Sequence, residues 1–345
     1  MDLFSDFGLM DKNKLLEIFD YLNERLKENQ LQLEDAMITM YKNAHNYDKE
    51  KLRNYAKEKF GEKVFKVSLD GGFTCPNRDG KISTEACLFC SESGSGEFAG
   101  DRRKTIFEQI EEQIEFLQKG KERKYIAYFQ NFTNTYGKVE YLRKIYEEAL
   151  SHPNIVGIAI GTRADCMDRK ILELLSEINK KTLLWIEIGL QSSNDKTSQI
   201  INRGYTTEVF LKKVEELKER NIKVLAHVII GLPKETEKEV METIYFLNKI
   251  KVWGVKIHLL YILKNTKLYN DYKKFPWKIT TKEEYIKIVC EVIKILDRNI
   301  VIHRLTGDAP WKDLYEPKWS TDKRGILNGI TKELLKMDIF QGKGE

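Results

Sequence analysis

Three cysteines, Cys75, Cys87 and Cys90, fall within one short stretch with the spacing C-x11-C-x2-C. The other two, Cys166 and Cys290, lie far along the chain. Thiolates this close repel one another unless a metal neutralises them, so the stretch reads as a metal or iron–sulfur site. A closed zinc site needs four protein ligands, yet no further Cys and no His lies between residues 46 and 151. Three thiolates can instead hold three irons of a 4Fe–4S cluster and leave the fourth iron open to a small molecule. A zinc-binding, structural loop is the alternative. Five cysteines is an odd number and nothing suggests secretion, so a disulfide framework fits poorly.

The elements that position this loop are legible as alternation. The pattern predicts strands over 64–69, 124–130, 155–160, 183–189, 223–230 and 254–260. Between them it predicts helices over 104–119, 138–150, 168–180, 194–201, 207–220, 236–250 and 282–298. Six βα units in series imply a parallel α/β sheet with right-handed crossovers and its chemistry at the strands' carboxyl ends. The first strand feeds the cysteine loop through Gly71 and Gly72. Ahead of it, apolar stripes predict helices over 12–29 and about 33–41. Residues 1–50 hold 6 Lys/Arg and 11 Asp/Glu, and the remainder holds 52 and 42. The basic remainder suits RNA or an anionic small substrate. Met1–Phe19 lacks a signal-peptide pattern and no apolar run is long enough to cross a bilayer, so a cytoplasmic protein without membrane contact is expected.

Cys75…Cys87-Leu88-Phe89-Cys90, with an aromatic before the last cysteine, resembles the cluster motif of the radical S-adenosylmethionine (radical SAM) superfamily. The long first spacing is similar to the branch that includes the elongator catalytic subunit. Leu69-Asp70-Gly71-Gly72-Phe73-Thr74-Cys75-Pro76-Asn77-Arg78-Asp79-Gly80 resembles one family within that branch. The resemblance runs from about residue 52 to the end. It implies a partial (β/α)6 barrel over 51–262, preceded by the helical extension 1–50 and followed by a small C-terminal α/β addition over 263–345. It also implies a 4Fe–4S cluster on the three cysteines, with S-adenosylmethionine chelated on the open iron. An electron donor of the flavodoxin or ferredoxin type would then allow reductive cleavage to a 5′-deoxyadenosyl radical.

The same resemblance assigns roles at the strand ends. Thr133 and Asn134, in Gln130-Asn131-Phe132-Thr133-Asn134-Thr135, replace the usual Gly-Gly-Thr-Pro that meets the methionine amino group. Arg163 and Asp165 stand where relatives have Arg-Pro-Asp, and the two can also pair with each other and brace the rim. Gln191 falls at the ribose region, and Arg203 at the cofactor's carboxylate. His227 alternates with apolar neighbours on the fifth strand and is expected near the ribose. Gly231 would let the adenine approach the backbone. Cys166 is the catalytic candidate, a thiol able to give up a hydrogen atom or relay a radical; a buried structural thiol is the plainer alternative.

Relatives in the wider branch modify tRNA, so the resemblance implies modification at C5 of a wobble uridine side chain. A small-molecule metabolite, or a non-catalytic iron–sulfur or zinc-binding role, stays open. Tyr269, Lys273, Trp277, Trp311 and Lys318 interleave aromatic and basic character in the tail. That suits base stacking, or equally the core of a small subdomain.

Overall fold

Runs such as Ile155–Thr162 and Leu183–Gln191 are apolar on both faces, the mark of parallel strands covered by helices. The computed structural model describes residues 59–344 apart from 95, 97, 98, 119–122, 309 and 310. The predicted helices over 12–29 and 33–41 lie outside the described residues.

Six strands form where alternation predicts them, within two residues at each end. They are β1 (Val64–Leu69), β2 (Lys124–Phe129), β3 (Ile155–Thr162), β4 (Leu183–Gln191), β5 (Lys223–Ile230) and β6 (Gly254–Leu259). Each pairs in parallel with the next, so the sheet grows in one direction and curls into a half-barrel. The crossovers are α1 (Ile106–Gln118), α2 (Val139–Ser151), α3 (Arg169–Lys181), α4 (Asp195–Ile200) with α5 (Thr207–Glu219), and α6 (Glu237–Ile250). Their apolar faces cover the outside of the sheet in one large core that includes Ile110, Tyr146, Leu174, Phe210 and Leu247. Side-chain caps start several of them: Asp168 accepts from Ile171 N, Thr206 from Val209 N, and Thr236 closes a capping box with Glu239.

The C-terminal stretch over 263–345 joins both the sheet and the core. It supplies a seventh parallel strand, β8 (Val301–Arg304), which pairs with β6 and widens the barrel. A two-stranded antiparallel pair, β7 (Ile262–Leu263) with β9 (Leu314–Glu316), sits beside it with α7 (Lys267–Lys274). Two further helices, α8 (Lys282–Ile295) and α9 (Lys323–Lys336), pack into the main core through Val289, Ile293, Ile326 and Ile330. Residues 263–345 thus add a strand to the sheet and helices to its core. Inside the half-barrel, the amino-terminal half is filled by Ile126, Ala159, Leu183, Trp185 and Leu225. The carboxyl-terminal half is open and polar.

Candidate active site

The cysteine loop leaves β1 at Asp70 and is held by side chains instead of regular structure. The Asp70 carboxylate accepts from Gly72 N (2.8 Å), Asn131 Nδ2 (2.8 Å) and Arg102 (3.3 Å). Gln109 of α1 bonds the Asp70 backbone N and O at 2.9 and 3.1 Å. Asn77 donates Nδ2 to the Asn202 and Arg203 carbonyls (2.7 and 3.2 Å) and reaches Cys87 Sγ at 3.5 Å. In return Asn202 Nδ2 donates to Ala86 O at 2.6 Å, and Leu88 N donates to Ile201 O at 3.0 Å. The turn after α4 is thus stapled to the loop that carries the thiols. Gly204 closes this turn at φ +83°, and a Cβ there would lie 2.6 Å from Asn77 Oδ1 and 3.1 Å from Arg163 Nη2. Only glycine fits.

Cys75, Cys87 and Cys90 are in no disulfide, and all three line one cavity of about 650 Å³ at the strands' carboxyl ends. Burial pushes the Cys87 thiol up to about 12, Cys90 adds to this, and Arg163 opposes it. Among the described residues, no three His, Cys, Asp or Glu side chains converge as ligands of a single metal ion.

Thr133, Arg163, Gln191, Arg203 and His227 share the cavity wall with the cysteines. Arg163 forms a two-pronged pair with Asp165 (2.9 and 2.8 Å) and donates to Arg203 O at 2.7 Å. Asp165 itself is off the wall and serves Arg163. Gln191 adopts φ +58° and turns its amide NH2 onto the Gly189 and Leu190 carbonyls (2.6 and 3.1 Å).

The other predicted residues lie elsewhere or are already engaged. The sequence reading puts Arg203 against a ligand carboxylate. In the structure its five N–H groups go to Tyr205 O, Leu190 O, Ser192 O, Asp195 and Thr207 Oγ1, at 2.6 to 3.3 Å. None is left over, and Arg203 braces the end of β4 against α4 and α5. Asn134 is buried behind the wall, where its Nδ2 donates to the Phe129, Asn131 and Gly161 carbonyls (3.2, 2.9 and 2.9 Å). Gly231 faces Thr280 and borders a separate small cavity with Leu260 and Trp277. Cys166 is tucked into a 3-10 turn off the wall, its Sγ 3.6 Å from Asp165. Burial, then Asp165, pushes its thiol up to about 12. The structure does not bring it to the cavity.

The floor of the cavity holds a charged cluster that sequence reasoning passed over. Glu187, fully buried on β4, accepts from Lys66 Nζ (3.1 Å), Trp185 Nε1 (2.9 Å), His227 Nε2 (2.9 Å) and Lys256 Nζ. Four donors fill a carboxylate's acceptor capacity. Burial works to raise the Glu187 carboxyl, but Lys256 and Lys66, then His227, hold it well below the usual range. Burial pushes the Lys256 ammonium down to about 7 against the pull of Glu187. His258, two residues along β6, stacks against His227 with ring centroids 5.2 Å apart. The signal for the two lysines was present: each stands between two apolar neighbours at an inward position of its strand.

Comparison with known proteins agrees with this architecture. Residues 75–247 match the model of the Radical SAM superfamily, and 252–336 that of the Radical SAM C-terminal domain. The chain is 41% identical to YtqA of Bacillus subtilis over 293 residues, covering 85% of this chain and 91% of that protein. It is 34% identical to YhcC of Escherichia coli, covering 77% and 85%. A tRNA uridine(34) acetyltransferase of Methanocaldococcus jannaschii is 28% identical over 176 residues, half of this chain but only 31% of that one. Among solved structures, Elp3 of Methanocaldococcus infernus superposes with a TM-score of 0.60 at 17% identity, covering 81% of this chain and 64% of that one. That likeness is one of fold. With its half-barrel, its three-cysteine loop and these relatives, the chain belongs to the radical SAM superfamily of enzymes.

Proposed function

We propose that Cys75, Cys87 and Cys90 hold a 4Fe–4S cluster, that S-adenosylmethionine binds beside it in the same cavity, and that the substrate is a tRNA wobble uridine. The observation that carries the cofactor part is the donor set: three thiols on one cavity wall, with Asn77 Nδ2 3.5 Å from Cys87 Sγ as a hydrogen-bond donor to sulfur. Bound there, the cluster would supply the electron that splits S-adenosylmethionine. The protein's own residues fix the site. Asn77, Asn202 and Gly204 hold the cysteine loop. Thr133 offers a hydroxyl for the cofactor's polar end. Gln191 and His227 form the wall along which its ribose would lie.

Two observations support tRNA. The chain shares 28% identity over 176 residues with an enzyme named for uridine 34 of tRNA, and residues 51–345 carry 52 Lys/Arg against 42 Asp/Glu. The test is tRNA from a strain lacking the gene, digested to nucleosides and compared with wild type by mass spectrometry. A wobble-uridine derivative lost in the deletion strain, and restored in vitro by reconstituted enzyme, is the expected result. Unchanged nucleosides, with S-adenosylmethionine still cleaved, would overturn the tRNA assignment alone.

A further inference from the structure

We infer that the cavity floor is an anion-recognition subsite in which Lys256, Arg304 and His258 receive a carboxylate or phosphate group of the substrate. This rests on the reading of the cavity as the site of cofactor and substrate. Three observations carry it. First, charge is unbalanced. Lys66, Lys256 and Arg304 face the cavity or its floor, while among the described residues Glu187 and Asp308 are the only carboxylates that line it. Glu187 is consumed by four donors, and Arg304 meets Asp308 only at 3.5 Å. Second, His258 lines the same cavity with a buried Nε2 that has no hydrogen-bond partner. A buried ring nitrogen with no protein partner keeps its hydrogen-bonding capacity for a bound group. Third, Lys256 is 6% exposed, yet it lines the cavity. A buried ammonium is costly unless fully paired; Lys256 Nζ meets the Tyr128 hydroxyl at 3.3 Å and a carboxylate that it shares with Lys66, one negative charge for two ammonium groups.

Position separates this subsite from the part of the cavity assigned to the cofactor's polar end. Thr133 lies beyond the end of β2, whereas Lys256 and His258 sit within β6 and Arg304 within β8, with Lys256 reaching Tyr128 Oη across the barrel at 3.3 Å. The cysteines enter on the loop after β1. The cavity therefore has a thiol pole and a cationic pole, and a substrate held at the second presents its remaining atoms toward the first.

The test uses the reconstituted holoenzyme saturated with S-adenosylmethionine, titrated by calorimetry with inorganic phosphate and, separately, with acetate. Saturable binding of one probe is expected, and which one binds gives the class of the group. Arg304→Gln and His258→Ala, and Lys256→Met if it folds, should each weaken that binding about tenfold or more. The exposed Lys170→Met should leave it unchanged. No saturable binding of either probe, or binding indifferent to Arg304→Gln and His258→Ala, overturns the subsite. Absence of S-adenosylmethionine cleavage by the wild-type protein is a separate result and overturns the reading it rests on.

Discussion

Arg203 and Glu187 show what single residues do in this molecule. Arg203 is 2% exposed and spends all five N–H groups on protein acceptors, three of them backbone carbonyls. Arg203→Met would strand the Tyr205 and Ser192 carbonyls and take one donor from that of Leu190, and each unsatisfied buried acceptor costs about 1–3 kcal/mol. A loss of about 3 kcal/mol or more in urea unfolding is expected. A loss confined to S-adenosylmethionine affinity would instead favour a ligand-binding part. Lys256 gives a pH signature. The unfolded chain keeps its proton up to the ordinary value of 10.5, while the folded protein releases it near 7. Between those values the unfolded state binds more protons, so the Lys256 contribution to stability rises with pH. The stability difference between wild type and Lys256→Met should therefore move in favour of wild type from pH 7 to 10. A pH-independent difference would contradict it. Sequence reasoning missed this group because its partners on β4 and β2, Glu187 and Tyr128, lie 69 and 128 residues away, and only the closed sheet brings them together.

At the scale of elements, the six barrel strands were legible because each is a mostly apolar stretch of six to nine residues between helices of two-faced pattern. β8 was not, since four residues ending in His303-Arg304 carry neither alternation nor length. Its inclusion puts Arg304 on the cavity wall, so the oversight at the element level also hid a site residue. The cysteine spacing showed the thiol loop but not its clamp. Arg203 read as a ligand contact, whereas the carbonyls of Asn202 and Arg203 and the Asn202 amide hold Asn77 and Ala86. Gly204→Ala forces a Cβ to within 2.6 Å of Asn77 Oδ1 at a left-handed φ. It is expected to destabilise the fold by about 1 kcal/mol or more and to lower iron retained after reconstitution. Unchanged iron content in a destabilised but folded variant would separate the turn from the thiol loop. Asn77→Ala removes the same clamp from the other side and should lower iron retention without an added side chain.

Across the whole molecule, half the barrel interior is packed with apolar side chains and half is a cavity with thiols at one pole and cations at the other. Among the described residues no helix is long and apolar enough to cross a membrane. The basic excess lies outside residues 1–50, which themselves carry more acid than base. If tRNA is the substrate, its affinity should fall linearly in log–log form as salt rises, because phosphate contacts release counterions. Salt-independent binding would contradict an interface built on this charge. If the three cysteines and the cavity together cleave S-adenosylmethionine, a single assay shows it. The protein is reconstituted anaerobically with iron and sulfide, given dithionite and S-adenosylmethionine, and 5′-deoxyadenosine is measured against a Cys87→Ala/Cys90→Ala variant. Product from the wild type and none from the variant is the predicted result. Stoichiometric zinc in the fresh protein, no binding of S-adenosylmethionine and no 5′-deoxyadenosine from either protein would contradict it.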